Sequence, residues 1–249
     1  MDFVIIKGIR KNIKKNKLTL NKMEITDISE IEGLGNHSFL KELNLKKNEI
    51  SEINGLESLS NLKKLNLKKN KISEIKGLEM LTNLVKLNLR RNQITEIKGL
   101  EKLVNLKWLD LSGNQITKIK GLDTLENLER LSLWQNKIGE IEGLEKLTKL
   151  KYLSLGQNTF TEIKGFETLR SLKGINLGLT SGTHLNGKKI PYSIAKKMGM
   201  RKGDSPVASY VKPKEIVRYC QFVKDTGLED WTTPGLLESF KEWKKSQNF

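Results

Sequence analysis

Aromatic and cationic side chains recur in this sequence at intervals that suit molecular recognition. Trp108, Arg130 and Tyr152 follow one another at a constant interval, and Asp110 and Trp134 lie within the same segments. Tryptophan, tyrosine and arginine are enriched at binding hot spots, and arginine also stacks on aromatic rings. If these five side chains face solvent, they predict an aromatic patch that anchors a partner. Two alternatives stay open, since the C-terminal segment could fold over the patch, or a cation–π stack could merely cover the surface.

The segments before the aromatic patch carry basic residues at equivalent positions. The basic members are Lys46, Lys47, Lys64, Lys68, Lys69, Lys86, Arg90 and Arg91, and Glu42 is the acid among them. This stretch predicts attraction to an acidic protein or, as the alternative, to nucleic acid or an anionic surface. Five of these residues form a basic strip that we add to the candidate site: Lys46, Lys64, Lys68, Lys86 and Arg90.

Residues typical of catalysis or metal binding are sparse and separated. His37 and His184 are the two histidines, and Cys220, the single cysteine, falls on the apolar side of a predicted helix. Residues 182–189 approach the pattern of a phosphate-binding loop, but the final hydroxyl is missing and Pro191 follows where a helix should run. We therefore predict no enzyme activity, no metal or cofactor and no small-molecule substrate.

A repeated apolar frame positions the candidate site. Asparagine recurs at the same constant interval, at Asn48, Asn70, Asn92, Asn114, Asn136 and Asn158. Leucines stand at fixed positions shortly before each asparagine, and a glycine stands at a fixed position after it. A fixed period of roughly 20–50 residues is typical of a solenoid. Each repeat should supply one short strand with its leucines buried, and the asparagines should satisfy backbone groups between neighbouring repeats.

The frame resembles the SDS22-like class of leucine-rich repeats. One copy of it reads Leu84, Leu87, Leu89, Asn92, Ile94, Ile97, Gly99, Leu100 and Leu103. The resemblance implies an α/β solenoid, a right-handed arc with a parallel concave sheet and a convex side of 3-10 turns and loops. Relatives of this type include regulatory subunits of a Ser/Thr phosphatase, spliceosomal adaptors and bacterial internalins. They imply partner binding on the concave face without catalysis.

The repeat pattern divides the chain into three predicted parts. Residues 1–17 form an N-terminal cap, residues 18–180 the leucine-rich repeat array, and residues 181–249 a helical C-terminal cap or extension. The array holds six full repeats from residue 40 to residue 171, preceded by a degenerate repeat with Thr26 at the asparagine position. Helices are predicted in the C-terminal part at 192–198, 213–226 and 233–246.

Composition adds expectations about partner and compartment. The formal charge is +16 and the isoelectric point is near 9.7, which favours a protein partner of acidic character. One cysteine permits no intrachain disulfide, and no apolar run approaches the roughly 18 residues of a membrane span. The apolar cluster near the N-terminus is too short for a secretion signal. We expect a soluble, cytoplasmic protein.

Overall fold

Short parallel strands, one from each repeat, lie side by side in one sheet. The computed structural model describes residues 2–160, 165–177, 184–185, 188–189, 210–211, 218, 221, 225 and 236–246. The parallel strands are β3 (Lys17–Thr19), β4 (Glu42–Asn44), β5 (Lys64–Asn66), β6 (Lys86–Asn88), β7 (Trp108–Asp110), β8 (Arg130–Ser132), β9 (Tyr152–Ser154) and β10 (Gly174–Asn176). Their order in the sheet follows their order in the sequence, so the chain advances by one strand with each repeat.

The register of the sheet stacks like positions of the repeats on one another. Leu87 at the centre of β6 pairs with Leu65 of β5 and Leu109 of β7, and all three are buried. Successive side chains of a strand point to opposite faces, so the residues flanking each leucine lie on the concave face. A continuous apolar core runs behind the sheet. The solenoid with a parallel sheet that the sequence predicts is confirmed.

The asparagine column joins each repeat to the one before it. Asn70 Oδ1 accepts a hydrogen bond from Ile50 N at 3.1 Å, and its Nδ2 donates to Leu45 O and Leu67 O at 3.1 and 2.9 Å. The same set of bonds recurs at each later member of the column, through Asn158. Each asparagine thus satisfies backbone groups that the loop leaves unpaired in the interior.

The first repeat is three positions longer than the others, which corrects one predicted alignment. Leu18 pairs with Leu43, and Leu43 pairs with Leu65. The sequence separation between the first two leucines is therefore greater than that between the second two. Met23, and not Thr26, therefore occupies the place of the asparagine. The added length lies where the 3-10 turn Ile28–Glu30 forms, capped by the Asp27 side chain, which accepts from Ser29 N at 2.8 Å. Thr26 belongs to this capping structure through hydrogen bonds to Glu30.

An antiparallel hairpin packs on the N-terminal end of the core. Its strands are β1 (Phe3–Ile6) and β2 (Ile9–Asn12), and Val4 and Ile6 are buried. Ile5 exchanges two backbone hydrogen bonds with Glu32, at 3.1 and 2.8 Å, which attaches the hairpin to the first repeat. A second 3-10 turn, Leu34–Asn36, follows. The hairpin falls within residues 1–17, while the division of the chain at 17 and 180 stays a prediction.

The C-terminal part is described at several separate places. Strand β13 (Tyr210–Val211) pairs antiparallel with β10 at the end of the sheet, and β11 (His184–Leu185) pairs with β12 (Lys188–Lys189). Helix α1 (Leu236–Ser246) covers most of the third predicted helix. Trp243 Nε1 donates to Asp225 Oδ2 at 3.1 Å, and Asp225 is itself helical, within the second predicted helix. The predicted helix at 192–198 and Cys220 lie outside the described residues. No helix in the described ranges is both long and apolar enough to cross a membrane.

Candidate binding face

The aromatic patch lies on the concave side of strands β7 to β9. Trp108 pairs with Arg130, and Arg130 pairs with Tyr152, so the three side chains occupy one row across adjacent strands. Tyr152 is 39% exposed and Trp108 is half-buried. Trp134 lies beyond the end of β8 and is also half-buried. The repeat spacing correctly predicts that these side chains are neighbours and that they stay out of the core.

Two guanidinium groups stack on the aromatic rings of this face. Arg130 Cζ lies 4.1 Å from the centroid of the Tyr152 ring, and Arg90 Cζ lies 5.7 Å from the centroid of Trp134. The Arg90 contact joins the basic strip to the aromatic patch, because Arg90 follows β6. Its Nε is buried without a hydrogen-bond partner. The rings therefore restrict the positions of the two guanidinium groups.

Gly174 forms the floor beside Tyr152 at the end of the row. A Cβ at this position would lie 3.0 Å from Tyr152 Cδ1, so the ring rests close against the glycine backbone. Trp108, Arg130, Tyr152 and Gly174 line a shallow depression of about 230 Å³. Trp108 also borders a second depression of about 210 Å³ over β4 to β6. Trp108 thus separates the basic half of the face from the aromatic half. Sequence reasoning missed Gly174, although it continues the row of Trp108, Arg130 and Tyr152 at the repeat interval.

Asp110 contributes charge more than contact surface to this site. It is 8% exposed, and its carboxylate accepts from Ser112 N at 2.9 Å. Ser112 Oγ and Ser132 Oγ lie 2.7 Å apart and share a hydrogen bond. The repeat pattern places both serines on the concave face, but sequence reasoning did not include them in the candidate site. Asp110 is the most buried of the predicted site residues.

One lysine of the basic strip is already neutralised. Lys64 Nζ lies 2.5 Å from Glu42 Oε1, and Lys17 Nζ lies 3.7 Å from the other carboxylate oxygen. The hydrogen bond from Lys64 holds the pKa of Glu42 below its ordinary value. By contrast, Lys46, Lys68, Lys86 and Arg90 have no carboxylate oxygen within 4.0 Å among the described residues. These four are therefore the members of the basic strip whose charge no carboxylate of the described residues offsets at this distance.

The unpaired cations lie close enough to repel one another. Burial, followed by the charges of Arg90 and Lys46, lowers the pKa of Lys68. The charges of Lys22 and Lys69 lower the pKa of Lys47. Sequence reasoning did not include Lys22 among the concave cations, because the first repeat is longer than the others. Once the three added positions are counted, it falls into the same column as Lys47. An anionic ligand would relieve this repulsion.

A row of asparagines offers hydrogen-bond donors between the cations. The Oδ1 atoms of Asn44, Asn66 and Asn88 accept from the backbone N of Lys46, Lys68 and Arg90 at 3.3, 3.1 and 3.1 Å. Their Nδ2 groups have no partner among the residues with described positions. The N-terminal half of the face therefore carries both positive charge and hydrogen-bond donors.

The described residues give no support for catalysis or metal binding. His37 is buried and its Nε2 lies 2.9 Å from Phe3 O, so it links the hairpin to the first repeat. No group of three histidine, cysteine or acidic side chains within the described residues could hold a metal ion. Residues 184–185 and 188–189, from the segment that approaches a phosphate-binding loop, form a short antiparallel pair.

Comparison with protein families gives a match over the repeats. The model for leucine-rich repeats in two copies matches residues 38–80, 60–102, 82–124, 104–146 and 126–171. Together these matches run from residue 38 to residue 171, more than half of the chain. No curated protein matches the sequence.

Solved structures with the same architecture include two bacterial internalins. The crystal structure of internalin C2 from Listeria monocytogenes str. 4b F2365 is 27% identical, covers 64% of this chain and 79% of its own, and superposes with a TM-score of 0.51. The functional domain of InlJ from Listeria monocytogenes, which includes a cysteine ladder, is 26% identical with a TM-score of 0.53. That match covers 70% of this chain, which spans only 36% of the InlJ chain.

Proposed function

This chain belongs to the leucine-rich repeat family, whose members such as the internalins are protein-interaction scaffolds, and we propose that it binds a protein partner on its concave face. The observation that carries the proposal is the row of Trp108, Arg130 and Tyr152, which project from the sheet and take no part in the core. Large aromatic side chains at the centre of a concave surface are typical anchors of an interface. The function is binding without catalysis.

We also propose the SDS22-like class for the repeats and the cytoplasm for the compartment. The constant spacing of strands β4 to β10 supports the class. The single cysteine, which leaves no pair for an internal disulfide, suits a reducing compartment. Fractionation of cells that express the tagged chain tests the compartment, and recovery in the medium or the membrane fraction would reject it.

Truncation of both tryptophans is the test of the proposed face. The variant Trp108→Ala with Trp134→Ala should weaken capture of the host partner by roughly 1,000-fold, because a hot-spot side chain contributes about 2 kcal/mol to binding and two are removed. The melting temperature should fall by only about 2–4 °C, because both side chains lie outside the core. Quantitative pull-down from host extract measures capture, and calorimetry measures stability.

A matched control truncates two exposed apolar residues elsewhere. Met80 and Val104 are 56% and 45% exposed and lie in the loops away from the sheet. The variant Met80→Ala with Val104→Ala should capture the partner as the unaltered chain does. Equal capture by both double variants would show that the concave aromatic patch is not the binding site.

A further inference from the structure

We propose that the bound segment of the partner is an extended, two-part peptide, with carboxylates over the basic half of the face and one apolar or aromatic side chain in the depression beside Tyr152. This inference rests on the proposed function and specifies the chemistry of its partner. It follows from how charge, hydrogen-bond donors and ring faces are distributed over the concave surface.

The cations form two adjacent rows on three consecutive repeats. The first row is Lys46, Lys68 and Arg90, and the second row is made of the residues that follow each of them. In the next repeat Ser112 and Gly113 stand at these two places, so the positive charge ends there. Strands of a sheet lie about 4.8 Å apart, so three repeats span about 10 Å, enough for a few carboxylates.

The aromatic contacts favour a peptide over a nucleic acid. Proteins that bind single strands stack bases on open aromatic faces. On this surface, guanidinium groups already stand over two of the rings, Arg130 over Tyr152 and Arg90 over Trp134. A guanidinium held in this way presents a fork of N–H donors that suits a carboxylate. The Nδ2 groups of the asparagine row between the cations suit the carbonyl oxygens of an extended chain.

The geometry sets the distance between the two parts of the peptide. From Lys68 after β5 to the depression at β9 is four strand spacings, or about 19 Å. An extended chain covers about 3.3–3.6 Å per residue. The acidic centre and the apolar side chain should therefore be about five or six residues apart. Trp108 stands between the two halves and would contact the intervening residues.

A displayed library of random dodecapeptides, selected on the full chain, tests this inference. Enriched sequences should combine two or more acidic residues with one aromatic or large aliphatic residue at that separation. Synthesis of one enriched peptide then allows its affinity to be measured by fluorescence anisotropy. Replacing its acids with their amides, or its apolar residue with alanine, should each lower the affinity at least tenfold. Enrichment of sequences without acids, or no enrichment at all, would overturn the proposal.

Two variants locate the two parts of the peptide on the face. Lys46→Glu with Lys68→Glu should lower the affinity at least tenfold. The control Lys102→Glu with Lys120→Glu changes the net charge equally at two exposed sites in the loops away from the sheet and should have no effect. Tyr152→Ala should weaken the original peptide but not the version that lacks its apolar residue. Equal effects of the two charge reversals would contradict the placement of the acids.

Two further results separate this inference from its alternatives. Tighter binding of an oligothymidylate than of the peptide, lost on reversal of Lys46 and Lys68, would favour a nucleic-acid partner and overturn the peptide. Loss of host-partner capture in the tryptophan variant, combined with failure of peptide selection, would leave the proposed function standing and remove only this inference. Unchanged capture in the tryptophan variant would remove both.

Discussion

Gly99→Ala should lower the free energy of unfolding by about 2–5 kcal/mol. Gly99 has φ of +77°, in the left-handed region that a residue with a Cβ adopts only at a cost. A Cβ there would also lie 2.0 Å from the carbonyl oxygen of Ile75 in the preceding repeat. That oxygen belongs to the backbone of a packed loop, so it cannot swing aside. The two repeats would have to separate locally.

The chain offers a matched control for this glycine substitution. Gly139 has no positive φ, and a Cβ there would meet nothing within 4 Å. Gly139→Ala should therefore change the stability by less than about 0.5 kcal/mol. Urea denaturation followed by circular dichroism compares the two variants. Similar midpoints would show that repeats in solution do not approach as closely as the structure has them.

Asn92→Ala should cost about 1–3 kcal/mol of stability. Asn92 Oδ1 accepts from Ile72 N at 3.1 Å, and Nδ2 donates to Leu67 O and Leu89 O at 3.1 and 2.9 Å. Alanine leaves the buried Ile72 N without a partner, which is unfavourable in the interior. The carbonyl oxygens of Leu67 and Leu89 each lose one of two hydrogen bonds, because Asn70 Nδ2 and Asn114 Nδ2 still donate to them. The bonds join two repeats, so the loss should be felt by both.

Asn83→Ala provides the comparison for the buried asparagine. Asn83 is exposed, and its Nδ2 donates one hydrogen bond, to Ser60 O at 3.0 Å. Water can replace this bond, so its loss should cost less than about 1 kcal/mol. The urea denaturation midpoints of the two variants measure this difference in stability. If Asn83→Ala lowers the free energy of unfolding as much as Asn92→Ala does, the buried asparagine column contributes no more to stability than an exposed asparagine.

The regular part of the fold was predictable because each repeat restates the same constraints. Leucines at alternate positions require one buried face per strand. The asparagine that follows them indicates where the chain leaves the sheet. The alignment of the first repeat was predicted wrongly, because counting back by a fixed period assumes that no residues are inserted. The signal was present in Asp27 and Glu30, which have the spacing of a capping box and mark the added 3-10 turn.

The outline of the candidate binding face was predictable, but its internal contacts were not. Alternation along each strand places Trp108 and Tyr152 outward whatever their rotamers. Side-chain pairing between repeats depends on rotamers and reach, which the sequence pattern does not specify. Lys64 turns toward Glu42, whereas Arg90 reaches Trp134 two repeats away. The burial of Asp110 likewise depends on the bulk of its neighbours.

Lysine labelling in host extract tests the central claim, that a partner covers the concave face, most directly. Acetylation of the chain, alone and in complex, is compared lysine by lysine by mass spectrometry. We expect protection of Lys46, Lys68 and Lys86 on the concave face when the partner is bound. Lys98 and Lys120, in the loops away from the sheet, should react equally in both states. Protection of Lys98 and Lys120 with none at Lys46, Lys68 and Lys86 would contradict the claim.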